Sequence, residues 1–172
     1  MNIVSLILHD VLPIGESALA TSDDFYRISV DEFEQLLGAL KERGCETIST
    51  ETFLAWQQGK QSLPDKPILL TFDDGHASHA VHVTPLLQRY GFMGTFFITT
   101  GFVGNEDYVT WNQVRTMRAA GMEIGAHGHN HYLLSDLTLD ALRDELVQPK
   151  ELLEQELQVT ISTMAVPGGF WT

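Results

Sequence analysis

The chain reads as a parallel α/β protein, and three observations predict it. Short apolar runs rich in β-branched residues alternate with segments whose apolar residues recur every three to four positions. That alternation is the order that builds a parallel sheet with right-handed crossovers. The unusual polar residues fall just past the carboxyl ends of the strand-like runs, the rim where parallel α/β folds assemble their sites. An open doubly wound sheet and a closed barrel both satisfy this pattern.

The elements follow in order. Ile3 to Leu8 is mostly apolar and reads as a buried first strand. Ser29-x-x-Glu32 is a capping box opening a helix with Phe33, Leu36, Leu37 and Leu40 on one face, and Gly44 ends it. Cys45 to Ser49 is a short strand, and Thr50 caps a helix ending near Gly59. Gln61 to Lys66 is a polar linker. Ile68 to Phe72 is the next strand, and Leu86, Leu87 and Tyr90 mark a helix that stops at Gly91. Gly94 to Thr99 is β-branched and aromatic, hence a strand. Thr110 caps a helix with Trp111, Val114 and Met117, closed by Gly121. Met122 to Ala126 is another strand. Thr138 to Leu157 is helical, with Leu139, Leu142, Leu146, Leu153 and Leu157 as core candidates and Pro149 expected to kink or split it. Ile161 to Val166 reads as the sixth strand.

Composition sets the outer limits. At 172 residues the chain is long enough for one domain with a sizeable core. The 44% apolar and 19% charged residues are those of a globular protein. A formal net charge of −13 argues against a nucleic-acid or anionic-membrane surface. The single cysteine, Cys45, excludes an intramolecular disulfide and fits a small core position. No apolar run is long enough for a membrane span. The apolar start lacks the basic residue and cleavage pattern of a signal peptide. A cytoplasmic location is therefore expected of the sequence as written, and an extracytoplasmic one if a leader was trimmed. No glycine-rich phosphate fingerprint follows the first strand, so a dinucleotide-binding sheet is not supported.

Four polar clusters share the rim. His9-Asp10 follows the first strand and Asp73-Asp74 the third. His127-Gly128-His129-Asn130-His131 follows the fifth and Pro167-Gly168-Gly169 the sixth. Adjacent carboxylates at the end of a buried strand are destabilised unless paired or metal-bound. If the histidine segment turns helical, His127 and His131 at i and i+4 share a face and can meet one metal ion, with His129 pointing elsewhere. A carboxylate from Asp73 or Asp74 would complete three protein ligands with an open position, the pattern of a catalytic metal site. The other aspartate would remain free as a general base toward water, whose pKa falls to about 7 beside zinc. Pro167-Gly168-Gly169 offers an unshielded backbone N–H to a developing oxyanion.

These residues resemble motifs of the polysaccharide deacetylases of carbohydrate esterase family 4, the NodB homology domain. Thr71-Phe72-Asp73-Asp74-Gly75 resembles the family's first motif, and Glu123 through His131 its second, usually H-[ST]-x-x-H. Ala165-Val166-Pro167-Gly168-Gly169 resembles the third, often R-x-P-x-G. His9-Asp10-Val11 and Thr110-Trp111-Asn112-Gln113-Val114 extend the likeness over nearly the whole chain. The resemblance implies a distorted (β/α)7-type barrel. It implies Asp73 as base and Asp74, His127 and His131 as ligands of a divalent ion, zinc by default. Gly168 is the expected oxyanion donor, and Pro167, Gly168, Trp111 and His9 are expected beside the substrate. The implied reaction is hydrolysis of N-acetyl groups on an acetylated polysaccharide or oligosaccharide.

Three departures qualify that expectation. Gly128 stands where the family has Ser or Thr, and no arginine precedes Pro167 at the matching place. The family's fourth and fifth motifs, the fifth carrying a histidine acid, would lie beyond Thr172. One domain over residues 1–172 lacking its C-terminal part is expected, with self-association as one way to cover the open barrel. Rival functions are an O-acetyl esterase, a small amide hydrolase, and a non-catalytic carbohydrate binder that keeps the metal. Trp111, Phe170 and Trp171 could stack on sugar rings or pack in the core.

Overall fold

The structure, a computed structural model, describes residues 3–13 and 27–169. Five parallel strands form the central sheet: β1 (Val4–Leu8), β4 (Glu46–Thr47), β5 (Pro67–Phe72), β6 (Thr95–Ile98) and β7 (Glu123–Ala126). The path runs β1-β5-β6-β7, with β4 also pairing β5. Every residue of β5 is buried, the mark of a strand covered on both faces. The main helices are α1 (Val30–Glu42), α2 (Thr50–Gln57), α3 (Thr84–Tyr90), α4 (Trp111–Ala119) and α5 (Leu139–Leu157). The mixed α/β class and the parallel sheet expected from the alternation are both present.

Local chemistry explains the helix starts. Ser29 closes a full capping box with Glu32 at the head of α1, and Thr110 closes one with Gln113 at the head of α4. Gly91 takes the left-handed conformation that ends α3. Phe33 and Leu37 of α1 are fully buried against Leu70, Phe72 and Phe96 of the sheet. The Phe72 and Phe96 rings stack at 4.7 Å. Cys45 is half-buried beside this core.

Several expectations need correction. A small second sheet was not foreseen: β2 (Asp10–Leu12) pairs parallel with β3 (Arg27–Ser29). The cap of α2 is Ser49 rather than Thr50. A π-helical turn, His79–Val83, precedes α3. The sixth strand, Ile161 to Val166, shrinks to one parallel bridge between Met164 and Ala126. Its first residue is held by α5 instead of a ladder, because Ile161 donates to Glu154 at 2.9 Å and accepts from Lys150 at 2.9 Å.

Pro149 does not split α5, which is a single helix of 19 residues. Glu145, Pro149 and Leu153, four residues apart, form its buried stripe. Leu139 and Leu146, read as core candidates, are instead exposed, at 85% and 37%.

Candidate active site

The site starts where β5 ends. Asp73 is tied back to β1 by its amide, which donates to the Leu8 carbonyl at 3.0 Å. Asp74 then adopts φ 74°, a left-handed conformation that Asp tolerates better than most residues. This turn aims its carboxylate at the loop that follows β7. Oδ1 of Asp74 lies 3.3 Å from Nε2 of His127 and 3.2 Å from Nε2 of His131. The three ligand atoms lie within 4.8 Å of one another.

His127 and His131 meet without a helix. The segment is an irregular loop with Gly128 at φ 75° and His131 at φ 61°. The sequence spacing thus pointed to a pair that the structure brings together, though not through the helical geometry that suggested it. The two rings pack edge to face at 4.9 Å. His129 points away, its Nδ1 2.9 Å from the Thr100 hydroxyl.

The donor set fits a divalent cation. Nδ1 of His127 lies 3.0 Å from the Ala165 carbonyl, which can only accept. The ring therefore holds its proton there and turns the Nε2 lone pair toward Asp74. Oδ1 of Asp74 is buried and has no aligned hydrogen-bond donor, although two imidazoles stand at contact distance. Lone pairs converging without hydrogen-bond geometry are what a small cation would satisfy.

Environment separates the two aspartates. Burial pushes the Asp73 carboxyl up, only partly offset by His127 and His9, and its Oδ1 is buried without a hydrogen-bond partner. Burial also acts on Asp74, but His127, His131 and His76 outweigh it and hold that carboxyl far below the usual range. For His127, burial favours the neutral ring, yet Asp74 and Asp73 raise its pKa.

The remaining expected residues can be placed. His9 follows β1, its carbonyl 2.7 Å from Nε2 of the buried His79, and its ring is near enough to favour the Asp73 anion. Pro167 is buried, and its ring carbon lies 3.3 Å from where a side chain on Gly128 would start. Pro167 has no N–H and the Gly169 amide donates to Val166 at 2.9 Å, which leaves the Gly168 amide as the candidate donor. Trp111 is half-buried on the first turn of α4, packed against the core. Phe170 and Trp171 lie outside the described residues.

Two residues escaped the sequence reading. His76 brings Nε2 to 3.4 Å from the second oxygen of Asp74 and stacks on Tyr108 at 5.2 Å. The only hint was its place two residues after Asp74. Glu145, in α5, is the other, and its contacts are taken up below. Beside His76 opens a cleft of about 420 Å³, lined also by Asp10, Arg27, Ser78, His82 and Tyr108. That is within the usual size range of small-molecule sites.

The chain has relatives in both sequence and fold. A family model described as "Polysaccharide deacetylase" matches residues 60–172. The chain is 28% identical to YxkH of Bacillus subtilis over 159 residues, covering 92% of this chain and 57% of that protein. It is 28% identical to the poly-beta-1,6-N-acetyl-D-glucosamine N-deacetylase of Escherichia coli K12 over 130 residues, covering 66% of this chain and 19% of that one. It therefore spans only part of the length of these relatives. Among solved structures, IcaB from Ammonifex degensii superposes with a TM-score of 0.83 at 26% identity, covering 99% of this chain and 76% of that one. Streptococcus pyogenes deacetylase PplD, solved with acetate, gives 0.87 at 23% identity over 99% and 75% of the two chains.

Proposed function

The chain belongs to the polysaccharide deacetylase family, and on that premise we propose that it removes N-acetyl groups from an N-acetylglucosamine-type polysaccharide with the help of a divalent ion. The N-deacetylase names of the Escherichia coli relative and of others in Staphylococcus aureus support the substrate class. The observation that carries the reading is the convergence of Asp74 Oδ1 with two imidazole Nε2 atoms, without hydrogen-bond alignment. Asp74, His127 and His131 are the ligands we assign, and zinc is the ion that two nitrogens, one oxygen and an open position suit.

When bound, such an ion supplies Lewis-acid character toward the acetyl carbonyl and makes nearby water easier to deprotonate. The chain's own residues do the rest. Asp73, its carboxyl raised by burial, takes the proton from water as the oxygen adds to the acetyl carbon. The Gly168 amide donates to the oxygen that gains charge. The same carboxyl returns that proton to the departing nitrogen as the C–N bond breaks, so acetate leaves and the sugar keeps a free amine. The cleft beside His76 gives the neighbouring sugar a place to lie. Trp111, packed on the core, is the weakest of the proposed substrate contacts.

The experiment measures acetate release from an N-acetylglucosamine oligomer together with bound metal. Full-chain protein should carry one divalent ion. His127→Ala should lose it, while His129→Ala should keep it. Loss of metal in the His129 variant with retention in a His131→Ala variant would sink the ligand assignment. Release from acetylated xylan but not from the glucosamine oligomer would favour an esterase.

A further inference from the structure

We propose that the buried carboxylate of Glu145 is the positioning group for the metal-binding loop, and that it sets the placement of His131 in particular. This rests on the metal reading above.

Glu145 is 1% exposed, at the N-terminal end of the buried stripe of α5. A buried carboxylate is strongly destabilising unless hydrogen bonds answer its charge. Here the donors all come from the loop between the two histidines. The His129 amide donates to Oε2 at 2.9 Å. The Asn130 amide reaches both oxygens at 2.9 and 3.0 Å, and its side-chain nitrogen donates to Oε1 at 2.6 Å. Gly128 makes room for this: a Cβ there would stand 2.7 Å from Oε2. The absence of a hydroxyl side chain at position 128 is therefore matched by a carboxylate arriving from α5.

The loop is gripped from two sides. Its carbonyls are held by the residues after β6, with the Thr100 amide donating to Gly128 at 3.2 Å and the Gly101 amide to His129 at 2.9 Å. Its amides are held by Glu145. His127 depends little on this grip, since it extends β7 and is tied to Ala165. His131 depends on it heavily. Its side chain is 35% exposed, touching the rings of His127 and Phe102, and its backbone is left-handed, so burial and regular structure do little to fix it. Its position relative to Asp74 is inherited from residues 129 and 130.

The test uses the full chain with zinc alone as the probe. Zinc affinity is measured against a chromophoric chelator, geometry by the visible spectrum of the cobalt-substituted protein, and loop order by hydrogen exchange at the His129 and Asn130 amides. Glu145→Gln keeps the volume but puts an N–H where an acceptor is needed. It should weaken zinc binding roughly 10–100-fold, the usual range for an outer-shell partner, shift the cobalt spectrum and speed exchange at both amides. Asn130→Ala, at an exposed position, removes one donor and should give a smaller loss in the same direction even if the Glu145 variant folds poorly. Leu153→Val, on the same stripe, should lower thermal stability and leave affinity unchanged. Unaltered affinity and spectrum in both loop variants, or an equal loss in the Leu153 variant, would overturn the inference alone. Wild-type protein that binds no divalent ion would overturn the metal reading and this inference with it.

Discussion

Asp73 and Asp74 are chemically alike and adjacent, yet their surroundings give them opposite leanings. Burial lifts the Asp73 carboxyl, whereas three imidazoles outweigh burial at Asp74 and keep it ionised. Carboxylates pushed apart in this way are suited to different jobs. Asp73→Asn should cut turnover by roughly 10²–10⁴-fold, the scale of a lost general base, with bound metal unchanged in the same preparation. In the wild type, the rate should fall as pH drops through the raised Asp73 pKa, because the base must be ionised to act. His79 makes a second pH prediction. Burial lowers its pKa to about 4, against about 6.5 for an unfolded histidine. Protonation thus favours the unfolded chain. The stabilising contribution of neutral His79 is full above about pH 6.5 and is lost as pH falls through about 4, on the order of 3 kcal/mol. Chemical denaturation across that range should show the loss, and His79→Gln should flatten it.

At the level of elements, the legible parts were those whose signals are local. A capping box at Ser29, a cap at Thr110 and a helix stop at Gly91 were readable and are present. Failures came where distant groups decide the outcome. The predicted strand at Ile161 gives its backbone to Lys150 and Glu154 of α5. Glu145 looked like one more solvated helix charge. Its spacing of four from Pro149 and eight from Leu153 was the available signal, masked by the habit of reading only apolar residues as core. The Asp74, His127 and His131 grouping was legible because two chain segments, those after β5 and β7, converge on one rim, though the loop geometry joining the histidines was not. Glu123 shows the same dependence on distance. At the start of β7 it accepts from the Thr50 amide at 2.7 Å, the Thr50 hydroxyl at 2.7 Å and the Glu51 amide at 3.0 Å, so it anchors the first turn of α2. Glu123→Ala should destabilise the fold by about 1.5–3 kcal/mol, the usual value of hydrogen bonds to a charged group. Urea unfolding would measure it, and zinc affinity should not change.

For the molecule as a whole, the sheet has an open side. Among the described strands β1 pairs only with β5, and it exposes Val4 at 53% on one face and Ile7 at 64% on the other. Unpaired strand edges with apolar faces recruit partners. The chain should therefore self-associate in sedimentation runs, and Val4→Lys together with Ile7→Lys should shift it toward the monomer. A monomeric wild-type chain would show that this edge recruits no partner. The sheet also separates two kinds of work. β7 is four residues long, with Glu123 at its base and His127 one step past its tip. Substitutions around Glu123 can tune heat tolerance while those around His127 tune substrate choice, with little traffic between them. Drift in a lineage can then explore either property alone. One inserted residue in β7 is the exception: with a period of two it would keep one end in place and turn the other to the wrong face, so the length of this strand should be the least negotiable feature of its history.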